Sequence, residues 1–144
     1  MNLYFFGGSF DPPHGGHLEI IRYCLNHCDK LILIPAGHSP IKDNPPLAAA
    51  QHRIKLLELL IQDLNHKIEI DDWEISQTGT SFTYLTVKYL NEKFRENQIT
   101  LVIGADQLTR IKHWKNYQEI LETVKFLGFN RRDKSEFQPL PEMQ

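Results

Sequence analysis

Nothing in this sequence runs apolar for the roughly 20 residues that a bilayer-spanning helix needs, and Met1 leads straight into a short strand-like segment and not into a leader. These absences set the expectation of a cytoplasmic chain with no membrane partner. Neither sign of charge dominates: 16 basic against 18 acidic side chains give a formal net charge of −2, so no polyanion such as DNA is drawn by long-range attraction. Nucleic acid is not an expected partner, and any phosphate has to be held locally. Cysteine is scarce, two residues in 144. Cys24 and Cys28 lie four apart on a predicted helix with His27 between them, which is the spacing of half a metal site. No second ligand pair follows, and a reducing compartment keeps thiols free, so free thiols are expected and no metal site is assigned. Repeats and low-complexity tracts are absent as well. The length, with 41% hydrophobic residues, is enough for one core and too short for two.

The apolar segments that are present alternate in kind. Residues 3–6 are short, apolar and aromatic and run into Gly7-Gly8, as a buried strand ending in a turn does. Leu18, Ile20, Ile21 and Leu25 repeat at helical spacing, so a helix follows from about His17, and residues 31–34 read as a second buried strand closed by Pro35. This is a βαβ unit, which implies a parallel sheet with right-handed crossovers. The proline-rich residues 36–50 form a long loop. A second helix is predicted over about 48–64, with Ile54, Leu57, Leu60, Ile61 and Leu64 on one stripe and Arg53 and Lys55 away from it. A strand at 67–70 follows. A third helix spans 82 to about 94, capped by Thr80 or Ser81. A strand at 100–103, a helix through 114–121 and a strand at 125–129 complete the pattern. The expected fold is a single-domain, Rossmann-like, doubly wound parallel α/β sheet over residues 1–134, with an irregular tail at 135–144.

Three groups fall where parallel strands should end: residues 7–17, Gly104-Ala105-Asp106, and Arg131-Arg132. In open α/β sheets ligands bind at that edge. Gly7 and Gly8 allow close backbone approach, and a helix starting near Gly16 or His17 offers free amide groups and a positive dipole end to an anion. His14 and His17, three apart at this turn, can both point to the same helix end and donate to phosphate oxygens. His17 is expected to be exposed there. On the residues alone Trp114 stays open between core and ligand, Arg53 between a solvated charge and a loop anchor, and Trp73 reads as packing. His38, His52, His66 and His113 have no partner pattern.

The run Gly7-Gly8-Ser9-Phe10-Asp11-Pro12-Pro13-His14-Gly15-Gly16-His17 resembles the signature of the HxGH nucleotidyltransferases, and in its full form that of the bacterial nicotinate-nucleotide adenylyltransferases. The likeness continues through Lys42, Arg53, Trp73-Glu74, Ser81-Phe82-Thr83, Gly104-Ala105-Asp106, Trp114 and Arg131-Arg132, nearly the whole chain. It implies transfer of AMP from ATP to nicotinate mononucleotide, giving deamido-NAD and pyrophosphate, with Mg²⁺ held through the ATP phosphates. It further implies that His14 and His17 are the catalytic pair on the ATP phosphates. ATP would also meet Gly7, Gly8, Ser9, Phe10, Gly16, Gly104 and Asp106, the last accepting from sugar hydroxyls. Trp114 would stack on the pyridine ring of the acceptor, with Thr83 near its carboxylate and the loop residue Lys42 closing over phosphate.

The family's Ser-Ser-Thr-x-x-Arg phosphate-gripping segment has no match in these residues: either Arg131, Arg132 or Lys134 substitutes for it, or another protein completes the site, or the chain is a weakened descendant. Two readings therefore stand side by side: an active adenylyltransferase, and a weakened or non-catalytic nucleotide-binding or interaction domain on the same fold. Oligomeric state is not legible.

Overall fold

The computed structural model of the chain describes residues 2–10, 12–37, 49–64, 67–77, 82–130 and 138–139. Strands β1 (Asn2–Gly8), β2 (Lys30–Pro35), β3 (Ile68–Ile70), β4 (Gln98–Gly104) and β5 (Lys125–Asn130) run parallel in the order β3-β2-β1-β4-β5. A two-residue strand β6 (Gln138–Pro139) adds antiparallel to β5, inside the stretch expected to be irregular. The sequence order runs outward from β1 through β2 to β3 and then restarts beside β1 with β4. The switch point thus lies between β1 and β4, where an open α/β sheet leaves its binding crevice.

Both sheet faces are covered, as buried parallel strands require. Along β1, Leu3 and Phe5 face one core and Phe6 the other; along β2, Ile32 and Ile34 oppose Leu31 and Leu33. One face is packed by α1 (Gly15–Leu25), through Ile20, Ile21 and Cys24, and by α2 (Ala50–Ile61), through Leu57. The other is packed by α4 (Thr83–Lys93), through Val87 and Leu90, and by α6 (Tyr117–Thr123), through Ile120. Ile21, Leu33 and Leu57 are wholly buried, each contributing about 1.5–3 kcal/mol by transfer from water. Two short helices were not expected: α3 (Trp73–Ser76), after β3, and α5 (Ala105–Leu108), after β4. No helix among the described residues is long and apolar enough to cross a membrane.

Several expectations shift. The second helix ends at Ile61, and Arg53, placed off its apolar stripe by periodicity, is 3% exposed. The helix expected from residue 114 starts at Tyr117, because Asn116 takes a left-handed φ of 54° that interrupts the helical path. Asparagine tolerates that region better than most side chains. Trp114 therefore lies in the connection, just after a 3-10 turn at Ile111–His113. Thr80 and Ser81, expected to cap α4, lie outside the described residues, and the cap position Phe82 makes no side-chain bond. Cys24 and Cys28 are free and buried, and desolvation pushes both thiols up in pKa, which keeps them protonated and unreactive. His27 stacks on Tyr23 at 4.0 Å and donates from Nδ1 to the Tyr23 carbonyl.

Helix α4 is fastened to the β3–α3 segment by polar bonds at successive turns. Lys93 lies 3.4 Å from carboxylate oxygens of Glu69 and Asp71, the Tyr89 hydroxyl donates to Asp71 at 2.8 Å, and Thr86 Oγ1 donates to Glu74 at 2.7 Å. Trp73 stacks on Tyr89 at 4.6 Å. Burial lifts the Glu74 carboxyl from 4.5 to about 7; the Thr86 bond opposes the rise and the Asp71 charge adds to it. Because the native state keeps this proton where the unfolded state releases it, stability falls as pH rises between those two values. Glu74→Gln removes the ionisation and retains an acceptor for Thr86. It is expected to raise unfolding free energy at pH 8, by about 3 kcal/mol at most, with the gain shrinking toward pH 5. Denaturant titrations at both pH values check this, and a pH-independent difference would contradict it.

Candidate active site

The chain leaves the sheet at Gly7 and Gly8 and turns sharply. Phe10 sits at φ 50°, a left-handed conformation that a bulky residue rarely adopts. Its ring is 1% exposed, edge-on to Phe6 at 5.4 Å and to His17 at 4.9 Å. A Cβ on Gly8 would meet the same ring at 3.7 Å. Ring burial thus holds the strained backbone, at a cost of order 1–3 kcal/mol, and bends the chain toward α1. Asp11 lies outside the described residues.

Helix α1 is capped by histidines. The backbone N–H of Gly16 donates to Nδ1 of His14 at 3.1 Å, and the backbone N–H of His14 donates to Nδ1 of His17 at 3.0 Å. This is a reciprocal capping box in which imidazoles replace the usual hydroxyl and carboxylate. A backbone amide can only donate, so Nδ1 of each ring is an acceptor and the neutral ring carries its proton on Nε2. The two rings stack at 3.9 Å. Gly16 makes room for them: a Cβ there would lie 2.9 Å from His14 Cε1. His14 is exposed, but His17, expected to be exposed, is 8% so, because Phe10 and Phe6 pack against it.

Two further groups frame this turn. Buried Arg53 donates from Nη1 to the carbonyls of Ser9 (2.8 Å) and Ala36 (2.9 Å), tying together the segments that leave β1 and β2. That decides the alternatives left open for Arg53: it anchors the loops. On the neighbouring strand, β4 ends at Gly104 and Asp106 folds back over it, with Oδ1 2.6 Å from where a Cβ on residue 104 would stand. Only glycine at 104 leaves that carboxylate in place.

The expected acceptor half lies on the other face. Thr83 is half-buried at the first position of α4. Trp114 packs against the core cluster that contains Leu3 and Phe5, and its buried indole N–H has no acceptor among the described residues. Lys115 Nζ sits 4.9 Å over the Phe82 ring and 6.0 Å from that of Tyr84, which joins the Trp114 connection to the start of α4. Nothing in the local sequence pattern signalled Lys115 or the depth of Arg53, since both depend on contacts distant along the chain. Lys42, Ser81, Arg131 and Arg132 lie outside the described residues.

A model of the cytidylyltransferase-like family matches residues 5–144. The chain belongs to that family. A relative from Clostridium novyi, named probable nicotinate-nucleotide adenylyltransferase, is 40% identical over 88% of this chain and 64% of its own length. One of the same name from Fusobacterium nucleatum is 38% identical over 92% and 69%. The chain thus spans about two thirds of the length of the curated relatives it matches. Among solved structures, Plasmodium falciparum nicotinic acid mononucleotide adenylyltransferase complexed with NaAD superposes with a TM-score of 0.80 at 23% identity, covering 93% of this chain and 68% of that one. In this cytidylyltransferase-like domain, as in that structure, the fold is the Rossmann-like doubly wound sheet.

Arg53→Met keeps most of the side-chain volume and leaves the two carbonyls without their donor. It is expected to cost about 2–4 kcal/mol of stability, read from denaturant unfolding. A change below about 0.5 kcal/mol, the ordinary range for surface substitutions, would mean that the clamp carries no strain-bearing load.

Proposed function

We propose that this domain is an adenylyltransferase that moves AMP from ATP to nicotinate mononucleotide, forming deamido-NAD and pyrophosphate. The observation that carries this reading is the double-histidine cap of α1, set at the sheet's switch point beside Gly104 and Asp106. The names of the relatives support the choice of acceptor.

The acceptor phosphate is already ionised and needs no activating base. One of its oxygens attacks the α-phosphorus of ATP, a new P–O bond forms, and the bond to the bridging oxygen breaks with its electron pair leaving on pyrophosphate. The protein's work is alignment and stabilisation of charge on the phosphate oxygens. His14 and His17 are assigned that role, as neutral donors whose N–H is at Nε2 because Nδ1 is committed to the cap. Backbone at Gly7, Gly8, Ser9, Phe10 and Gly16 lines the phosphate path along the positive end of α1. Asp106 accepts from sugar hydroxyls above Gly104. Among the described residues no three His, Cys, Asp or Glu side chains gather to hold a metal. Mg²⁺ is assigned to the substrate, entering as MgATP bound by phosphate oxygens and water.

On the acceptor side, Trp114 packs against the core cluster and is assigned to stack on the pyridine ring, with Thr83 near the ring's carboxylate. Lys42, Arg131 and Arg132 are assigned phosphate contacts from the sequence resemblance.

The deciding assay is pyrophosphate release from MgATP with nicotinate mononucleotide, nicotinamide mononucleotide and phosphopantetheine supplied separately. Release with nicotinate mononucleotide alone is expected; binding of ATP without release for any acceptor would instead mark a nucleotide-binding domain without the chemistry. His17→Ala should lower kcat about a hundredfold. It should also cost about 1–2 kcal/mol of stability, through the lost cap and the lost packing on Phe10, and wild-type turnover would sink the assignment. Trp114→Ala should raise the acceptor KM more than the ATP KM. Equal increases with a lower Tm would make Trp114 a core residue only.

A further inference from the structure

The bonds that fasten α4 to β3 and α3 fall on one stripe of the helix. Lys93 meets Glu69 and Asp71, Tyr89 meets Asp71, and Thr86 meets Glu74. The spacings of four and three bring these positions to one face, and the next position toward the helix start on that face is Thr83. The segment facing the stripe runs the opposite way, from Glu69 through Asp71 and Trp73 to Glu74. Lys115 meets the rings on either side of Thr83, and the Glu74–Thr86 bond is the described side-chain hydrogen bond nearest to that end of α4.

That bond differs from its neighbours. Lys93 is an exposed, flexible side chain shared between two carboxylates, whereas Thr86 is 0% exposed and has a stiff, β-branched side chain. Asp71 is already engaged by the backbone N–H of Trp73, by Tyr89 and by Lys93. It anchors the base of α3 and does not reach Thr86. Trp73 stacks on Tyr89 one turn further along, and among the described side-chain hydrogen bonds it is Glu74 that joins α3 to the first turn of α4 at Thr86. A helix start has no preceding turn to brace it, so its position is set by such tertiary contacts.

We propose that Glu74, acting through Thr86, is a positioning residue for the acceptor end of the site: it fixes the first turns of α4, and with them Thr83, against the carboxyl end of β3. This rests on the reading of Thr83 as an acceptor contact. Glu74 touches no substrate. Its loss loosens the seat of the acceptor while the histidine cap, carried by β1 and α1 on the opposite face of the sheet, stays as it was.

Four variants test this: Glu74→Ala, Glu74→Gln, Thr86→Val and the double variant Glu74→Ala/Thr86→Val. Glu74→Ala is expected to raise the KM for nicotinate mononucleotide about tenfold, the scale of one lost side-chain hydrogen bond, with the KM for ATP within about twofold. Thr86→Val should match it, and the double variant should be no worse than either single one, since both remove the same bond. Glu74→Gln, which keeps an acceptor oxygen, should restore most of the acceptor affinity. Equal shifts in both KM values, or a Gln variant as impaired as the Ala variant, would overturn the proposal. Backbone hydrogen exchange at residues 83–86 is read on the same proteins and needs no turnover. Faster exchange in Glu74→Ala and Thr86→Val but not in Glu74→Gln is expected, and unchanged exchange in all variants would overturn the latch. A wild-type chain inactive with every acceptor would defeat the functional reading, and the exchange result would still judge the latch. If Glu74→Ala does not fold, the near-isosteric Thr86→Val carries both measurements.

Discussion

The start of an α-helix leaves amide groups without partners, and in α1 two of the groups around that start are taken by imidazole nitrogens. Most of the site follows from this choice. Accepting at Nδ1 forces the proton of each neutral ring to Nε2, so the interaction that ends the helix also prepares a pair of hydrogen-bond donors. The stacking of His14 on His17 at 3.9 Å is possible because Gly16 has no Cβ to fill the space beside the first ring. A serine cap would serve the helix equally well and would present no such pair.

The cap can hold that geometry only if the turn before it is rigid. Phe10 supplies one constraint, its buried ring keeping a left-handed backbone that the chain would otherwise leave. Arg53 supplies another by gripping the carbonyls of Ser9 and Ala36, so the exits of β1 and β2 move as one piece. A buried guanidinium is costly to desolvate; two carbonyl acceptors offset part of that cost. The polar stripe along α4 repeats the pattern on the other face of the sheet, where the half-buried Glu74 carboxyl lowers stability at neutral pH while holding a helix start in register.

A large part of this was legible locally. The short apolar runs that bury β1, β2 and β4, the glycines at the strand ends, and two histidines three apart at a helix start are all short-range patterns, and the family resemblance rested on the same residues. What was misjudged shares a single cause. Arg53 was placed off the apolar stripe and stayed open between a solvated charge and a loop anchor, because helical periodicity ranks side chains by polarity and cannot register two acceptors 17 and 44 residues away. His17 looked exposed because a helix start usually is, and the covering rings of Phe10 and Phe6 arrive only through the left-handed turn. Trp114 was drawn into a helix because the left-handed φ of Asn116 leaves no mark in hydrophobic periodicity.

By itself the sequence determined the five parallel strands and the longer helices, the doubly wound class, the family and the position of the histidine pair, because apolar runs, helical periodicity and turn chemistry act over a few residues. Tertiary structure alone decided that β1 and β4 lie side by side at the switch point, that Arg53 is a clamp, and that the Glu74 carboxyl titrates near neutrality. Each of these depends on desolvation or on a hydrogen bond between segments distant along the chain, and such energies exist only once the chain has closed on itself.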